Sequence, residues 1–379
     1  VVKRVKFRWA IAVLVVVVYV VVMWFVRASS LPSAQRTQYR QWRENYVVWE
    51  NKQRAFVNTS VDKTNPVALS EGQGYGLYIT ALAGSHDWAQ QKDFDGLLNY
   101  YLAHRDAVGD RRDVPTYLMR WRQYRSGQRW VSEDNSATDG DLYIAFGLHQ
   151  AAKVWPQRSS YYGTIERRLT ADILRYEYND ATQALTVGDW ANEGSPFHTL
   201  MRTSDVIPAF FDAFYDFTRD GRWLTVKNVM LNRMVELSNE HDTGLVPDFA
   251  WLAEGHARAV QGKTVASQYD GDYSSNACRV PMVLASSGDP RAERVSRRLL
   301  RFFERQDVIT AGYSLAGRRL NSYQSNSFLA PLVYAASRGQ RGSYGRILAN
   351  KQRILMQSPR ATGYYDATLT TMAAMEGIH

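Results

Sequence analysis

A helical rhythm that recurs along most of the chain constrains the fold more than any other feature. Segments such as FDGLLNYYLAHRDA, DGDLYIAFGLHQAAKVW, YGTIERRLTADILRYEY, WLTVKNVMLNRMVELSNE, PRAERVSRRLLRFFERQ and NSFLAPLVYAAS repeat apolar residues near spacings of 3, 4 and 7, which line one face of a helix. Long stretches of strict alternation are scarce, so the pattern predicts an all-α class with about ten to twelve helices. Some helices, as in DLYIAFGLHQAA, are apolar or small on most sides, whereas the Arg-rich PRAERVSRRLLRFFERQ is two-faced. Helices apolar all round must be covered, so an inner layer wrapped by an outer amphipathic layer is expected, as in a closed double ring of helical hairpins. No fixed-period motif indicates a solenoid.

The first residues read differently. Lys3, Arg4, Lys6 and Arg8 precede an apolar run from Trp9 to Val26 that Arg27 closes. That pattern predicts a membrane-spanning helix over 9–27, with the positive-inside tendency placing the following residues outside the cell membrane. A cleaved signal peptide is the alternative, since RASSLPSA follows. The expected organisation is a basic cytoplasmic flank at 1–8, an anchor at 9–27, a partly helical juxtamembrane segment at 28–60 and one catalytic domain over 61–379.

One cysteine, Cys278, excludes an internal disulfide and cysteine metal clusters. The net charge of +9 comes from interspersed acids and bases with no basic tail, which ranks lipid headgroups, cell-wall polymer or acidic polysaccharide above nucleic acid as partners. Scattered histidines without HExxH argue against metal catalysis. GQGYG lacks the Lys and Ser or Thr of a phosphate loop, and no cofactor is implied.

The chemistry-bearing residues stand in loops that feed packed helices. Glu71, in LSEGQGYG, is either a first-turn helix residue or a carboxyl in a partly dry site whose raised pKa suits a general acid. Asp139 and Asp141 open DGDLYIAFGLHQAA, as caps or as cavity-facing groups. Asp205 lies in MRTSDVIPAFFDAF, Asp242 and Asp248 in HDTGLVPDFAWLAEG, and Asp270 and Asp272 in SQYDGDYSSNACRVP, just ahead of Asn276 and Arg279. Tyr75, Trp190, Phe249, Trp251 and Tyr269 are candidate rings for stacking on sugar faces, although each could equally be core. Carboxylates, amides and aromatics together are the composition of a carbohydrate groove.

Taken in order, SEGQGYG, SATDGDLYIAFGLHQAAKVW, SDVIPAFFDAF, GLVPDF and NACRVPMVLA resemble the conserved blocks of glycoside hydrolase family 8 over roughly residues 66 to 335. The resemblance implies an (α/α)6 barrel and an inverting endo-acting β-glycanase with Glu71 as general acid and Asp139 binding the sugar at the cleavage point. In the cellulase-like branch an Asp serves as base where Asn276 stands here. An amide cannot accept that proton. In the branch similar to chitosanases and lichenases the position is also Asn and a loop carboxylate takes over, which implies Asp272, or Asp270, as base. Arg279 then anchors the loop or pairs with a site carboxylate. The expected substrate is a β-1,4-glucan-like polymer or exopolysaccharide, with exopolysaccharide synthesis or secretion machinery as a further partner. The alternative is a catalytically weak polysaccharide-binding or assembly subunit.

Overall fold

The computed structural model describes residues 2–28, 31–62, 64–109, 111–127, 129–339 and 342–378. The class is not all-α. About half of the chain is helical, and among the described residues twelve short strands form five small sheets. The strands are two to six residues long, too short for an alternating apolar pattern to register in sequence.

Six helices form a closed cycle: α3 (Ser70–Gly84), α5 (Thr138–Val154), α7 (Pro208–Thr218), α9 (Val280–Ala285), α11 (Asn326–Arg338) and α14 (Tyr364–Met375), each touching the next and α14 returning to α3. Outside them lie α2 (Leu31–Tyr46), α4 (Gln91–Ala103), α6 (Ser159–Tyr176), α8 (Arg222–Asn239), α10 (Pro290–Glu304), α12 (Gly345–Leu348) and α13 (Lys351–Met356). Of the inner helices, α3 and α14 are buried nearly completely, whereas α7 buries only Pro208, Phe210, Phe211 and Phe214. The outer α10 buries Ala292, Val295, Ser296, Leu299, Leu300 and Phe303 and turns its arginines outward. Its start is marked by Asp289, whose carboxylate accepts the Arg291 amide at 2.9 Å, with Pro290 in the first turn.

The segment after residue 30 is tied to the ring by specific bonds. Trp42 of α2 is fully buried, and its indole N–H donates to Thr368 Oγ1 at 2.9 Å. Gln35 and Gln38 donate to the carbonyls of Ala374 and Gln357 at 2.7 and 2.6 Å. These contacts tie α2 to α14 and to the segment before it, and satisfy side-chain N–H groups that would otherwise be buried unpaired.

Among the described residues no helix is long and apolar enough to cross a membrane. This overturns the expected spanning helix over 9–27 and the single-pass, outward-facing placement built on it. The first helix, α1, runs from Val2 to Ala28. The side chains of the basic flank at 1–8 lie outside the described residues.

The sheets dress one end of the ring. β1 (Val47–Trp49) pairs with β2 (Ala55–Val57), and β3 (Val67–Leu69) joins β6 (Arg122–Ser126) and β7 (Arg129–Glu133). β4 (Arg105–Val108) pairs with β5 (Val114–Met119), and β8 (Tyr178–Asn179) with β9 (Ala184–Leu185). β10 (Leu200–Arg202), β11 (Phe249–Ala253) and β12 (His256–Ala259) make the last sheet. The sheet containing β3, β6 and β7 precedes α3 and α5, and the one containing β10, β11 and β12 lies in the loops before α7 and α9, so the strands frame the N-terminal ends of the inner helices.

Candidate active site

Two glycines set how closely the first helix pair can meet. A Cβ on Gly140 would stand 2.4 Å from Ser70 Oγ and 2.6 Å from the Ser70 carbonyl carbon, and one on Gly74 would stand 2.8 Å from the Gly140 oxygen. Only hydrogen fits at this crossing. The close approach puts the first turns of α3 and α5 side by side, and with them Glu71 and Asp139. Both carboxyls sit at positive helix ends. The entry to α3 is held from the other side, where the Ser70 amide donates to the Trp121 carbonyl at 2.9 Å.

Arg279 joins the cluster from the turn ahead of α9. It is 1% exposed, and its Nη1 donates to Glu71 Oε2 at 2.9 Å, Tyr75 Oη at 2.7 Å and Asp139 Oδ2 at 3.1 Å. Its Nη2 donates to Asn276 Oδ1 at 2.7 Å. Arg202, at the end of β10, reaches Asp139 Oδ2 at 2.6 Å and Asp205 Oδ1 at 3.5 Å. Three carboxyls thus share two guanidiniums. Burial pushes Glu71 up to about 7, against the attraction of Arg279 and with the repulsion of Asp139. Asp205 is likewise pushed up to about 7 by burial, with Arg202 opposing. Burial acts on Asp139 in the same direction, yet Arg202 and Arg279 together hold it below the usual carboxylate range. The arrangement keeps one carboxyl ionised and leaves the remaining two short of a cation, so a proton is retained near neutrality. Glu71 is the more open of those two, with 20% of its side chain exposed against 1% for Asp205.

Asn276 faces a second carboxyl. Asp248 accepts the Ser274 and Ala277 amides at 2.9 and 2.7 Å and the Asn276 amide group at 3.3 Å, while burial pushes it up to about 6. Its backbone amide donates to the Asp272 carbonyl at 2.8 Å, which lays the 267–276 loop beside this site. The two loop aspartates part company there. Asp270 is buried, and its carboxylate accepts the amides of Val265, Ala266 and Ser267 at 2.7, 3.1 and 2.9 Å. Asp272 is half-buried and its carboxylate accepts no hydrogen bond from a described residue; burial raises it, and Arg318 opposes. Asp242 is exposed.

The candidate rings also divide. Tyr75 is fully buried, edge-on to Tyr143 at 4.6 Å, and Phe249 is buried beneath the Arg202 guanidinium at 5.6 Å from its ring centre. Neither ring presents a face to a ligand, which corrects their reading as stacking rings: both are packing residues under the charged cluster. Trp190 and Trp251 are partly open and meet across Phe197, at 5.2 and 6.3 Å between ring centres. Tyr269 is half-exposed.

Family comparison decides what this cluster belongs to. The family model described as glycosyl hydrolases family 8 matches residues 11–377. The chain is a family 8 glycosyl hydrolase. It is 29% identical over 323 residues to a β-glucanase of Niallia circulans, covering 82% of this chain and 76% of that one. An endoglucanase of Bacillus sp. (strain KSM-330) is 27% identical over 373 residues, covering 93% and 77%. Among solved structures, the apo β-1,3-1,4-glucanase from Paenibacillus sp. X4 superposes with a TM-score of 0.81 at 25% identity, covering 93% of each chain.

Within this family 8 hydrolase, sequence reasoning missed three groups at the cluster. Arg202 forms the 2.6 Å contact to Asp139; its signal was the i,i+3 spacing to Asp205 in RTSD. Trp121, 37% exposed, stands beside the entry to Glu71. Tyr365, at the start of α14, donates from its hydroxyl to the Ser275 carbonyl at 2.6 Å. No spacing signal marked the last two, because both reach the site through contacts between distant elements.

Proposed function

We propose that this glycoside hydrolase cleaves β-glucan chains internally with inversion at the anomeric carbon. Glu71 donates its proton to the glycosidic oxygen as the bond to the anomeric carbon breaks. A water attacks the opposite face of that carbon and gives its proton to Asp272. Asp139, kept ionised between Arg202 and Arg279, binds the sugar at the cleavage point and stabilises the positive charge that develops there. Asn276 replaces the base of the cellulase-like branch and holds Asp248 and Arg279 in place. The observation that carries this reading is the half-open Glu71 in a cluster with more carboxyls than cations, which retains a proton at a helix start where a substrate can reach it. The choice of Asp272 over Asp270 is supported by their surroundings, since the Asp270 oxygens are engaged by three amides. The β-glucanase names among the relatives favour a mixed-linkage β-1,3-1,4-glucan over chitosan as substrate.

The test is hydrolysis of mixed-linkage β-glucan, carboxymethylcellulose and chitosan by the full chain, with the anomer of the first product read by proton NMR. Inversion is expected to give the α-anomer first. Glu71→Gln and Asp272→Asn are each expected to lower kcat by about 10² to 10⁴-fold, the range of general acid–base catalysis. Full activity in Glu71→Gln, or a β-anomer appearing first, would refute the assignment. An inverting site also requires its acid and base about 6.5–9.5 Å apart.

A further inference from the structure

Behind the cluster lies a second pair of acids that the reaction does not use. Asp141 follows Asp139 by two residues on α5 and is fully buried, as is Glu177 at the end of α6. One oxygen of each is occupied: Asp141 Oδ1 accepts the Met119 amide at 2.8 Å, and Glu177 Oε1 accepts the Ser136 hydroxyl at 2.5 Å. The other two oxygens, Asp141 Oδ2 and Glu177 Oε2, are buried with no donor if both groups are ionised, and the two side chains are within hydrogen-bonding reach of one another. The charged groups facing them are mostly acids. Asp189 accepts the Ser136 amide at 2.8 Å, Asp205 approaches from the turn before α7, and the Tyr101 phenol faces Asp141 from α4. The Arg112 guanidinium, 3.7 Å from Asp189, bonds Asp106. Two buried carboxylates in contact without a cation of their own cannot both stay ionised.

We propose that Asp141 and Glu177 share one proton and, as a carboxylic acid–carboxylate pair, act as positioning residues for Asp139. The pair spans it in sequence. Ser136, which Glu177 holds, lies three residues before Asp139, and Asp141 lies two after; the shared proton therefore ties both flanks of Asp139 to the end of α6. Burial raises both groups, reinforced at Asp141 by the Glu177 charge and at Glu177 by those of Asp189 and Asp205, so that Glu177 is pushed up to about 8. Loss of the proton leaves two like charges in contact and loosens the start of α5. This inference rests on Asp139 binding substrate, as proposed above, but its first test does not.

In the unfolded chain both acids are ionised above about pH 5, so the pair takes up a proton on folding and its contribution to stability is lost as pH rises toward 8. The Asp141→Asn/Glu177→Gln double variant can hydrogen-bond amide to amide and needs no proton. Its folding equilibrium constant relative to wild type, from urea unfolding, is expected to rise roughly tenfold per pH unit between about 5 and 8. A pH-independent ratio would overturn the shared proton, as would failure of both the double variant and Asp141→Asn to fold at pH 6. This readout is unaffected by whether Glu71 is the acid. For positioning, Glu177→Ala is expected to lower kcat at least tenfold with KM within about threefold, and Glu177→Gln to recover most of it. If Glu177→Ala does not fold, Ser136→Ala replaces it. Equal damage from Gln and Ala, or an unchanged kcat in the truncated variant, would overturn the positioning role.

Discussion

Replacing Arg279 by Met removes one of the two cations that three carboxyls share while keeping most of the side-chain volume. Its Nη1 stands 2.9 Å from Glu71 and 3.1 Å from Asp139. At an effective dielectric constant near 20, a charge pair at about 3 Å is worth roughly 5 kcal/mol before desolvation is subtracted. Breaking such a buried pair from one side costs about 3–5 kcal/mol. The loss must also depend on pH. With one guanidinium for three carboxyls, the folded variant retains one more proton than wild type at neutrality. The pKa of the carboxyl that keeps it is raised above its unfolded value, so its contribution is present at low pH and lost as pH rises. One extra proton corresponds to about 1.4 kcal/mol per pH unit, so the variant's deficit at pH 7 should exceed that at pH 5.5 by about 2 kcal/mol. Urea unfolding at the two pH values measures this directly, from midpoints and m-values. On a Glu71→Gln background two carboxyls share two cations, and removing Arg279 again leaves one carboxyl without a cation, so the same pH dependence should persist. A deficit under about 1 kcal/mol, or one equal at both pH values, would refute the charge count.

The same count gives a pH–rate profile. As the proposed acid, Glu71 must be protonated and is pushed up to about 7, so kcat/KM should fall about tenfold per unit as pH rises beyond it; with Asp272 as the proposed base, the acid limb should reflect its protonation, its pKa being raised by burial. Asp272→Asn should lower kcat without moving the thermal midpoint, whereas Asp270→Asn should destabilise its loop by about 1–3 kcal/mol, because the three amides it accepts lose carboxylate partners. Gly140→Ala forces a methyl to within 2.4 Å of Ser70 Oγ and should cost at least 1–3 kcal/mol by calorimetry, with kcat falling as Glu71 and Asp139 are driven apart.

The helices were legible because their signal is local: a 3.6-residue period needs only one segment to be seen. The arginines turned outward along α10 and the nearly complete burial of α14 both follow from such patterns. Strands of two or three residues carry no period, and their pairing joins distant positions, as when Leu69 of β3 lies opposite Arg122 of β6. Hence the all-α expectation failed at the end of the ring where strands frame the site.

At the site, residues that open helices were legible and residues that arrive by register were not. Glu71 and Asp139 are placed by the first turns of α3 and α5, and glycines in the same segments allow those turns to meet. Arg202 depends on β10 pairing with β11, which sets its guanidinium over Phe249 and against Asp139. Asp270 and Asp272 share a chain direction and nearly a composition, and no count of residues separates them. What separates them is the turn at Ser267, whose amide, with those of Val265 and Ala266, folds onto the Asp270 carboxylate and leaves that of Asp272 free of hydrogen bonds from the described residues. A carboxylate whose oxygens already accept three amides, as in Asp270, has little room to receive a water. An unengaged, partly buried one gains basicity from its surroundings. The proposed choice of base therefore rests on backbone hydrogen bonding within ten residues, at a scale between the motif and the fold.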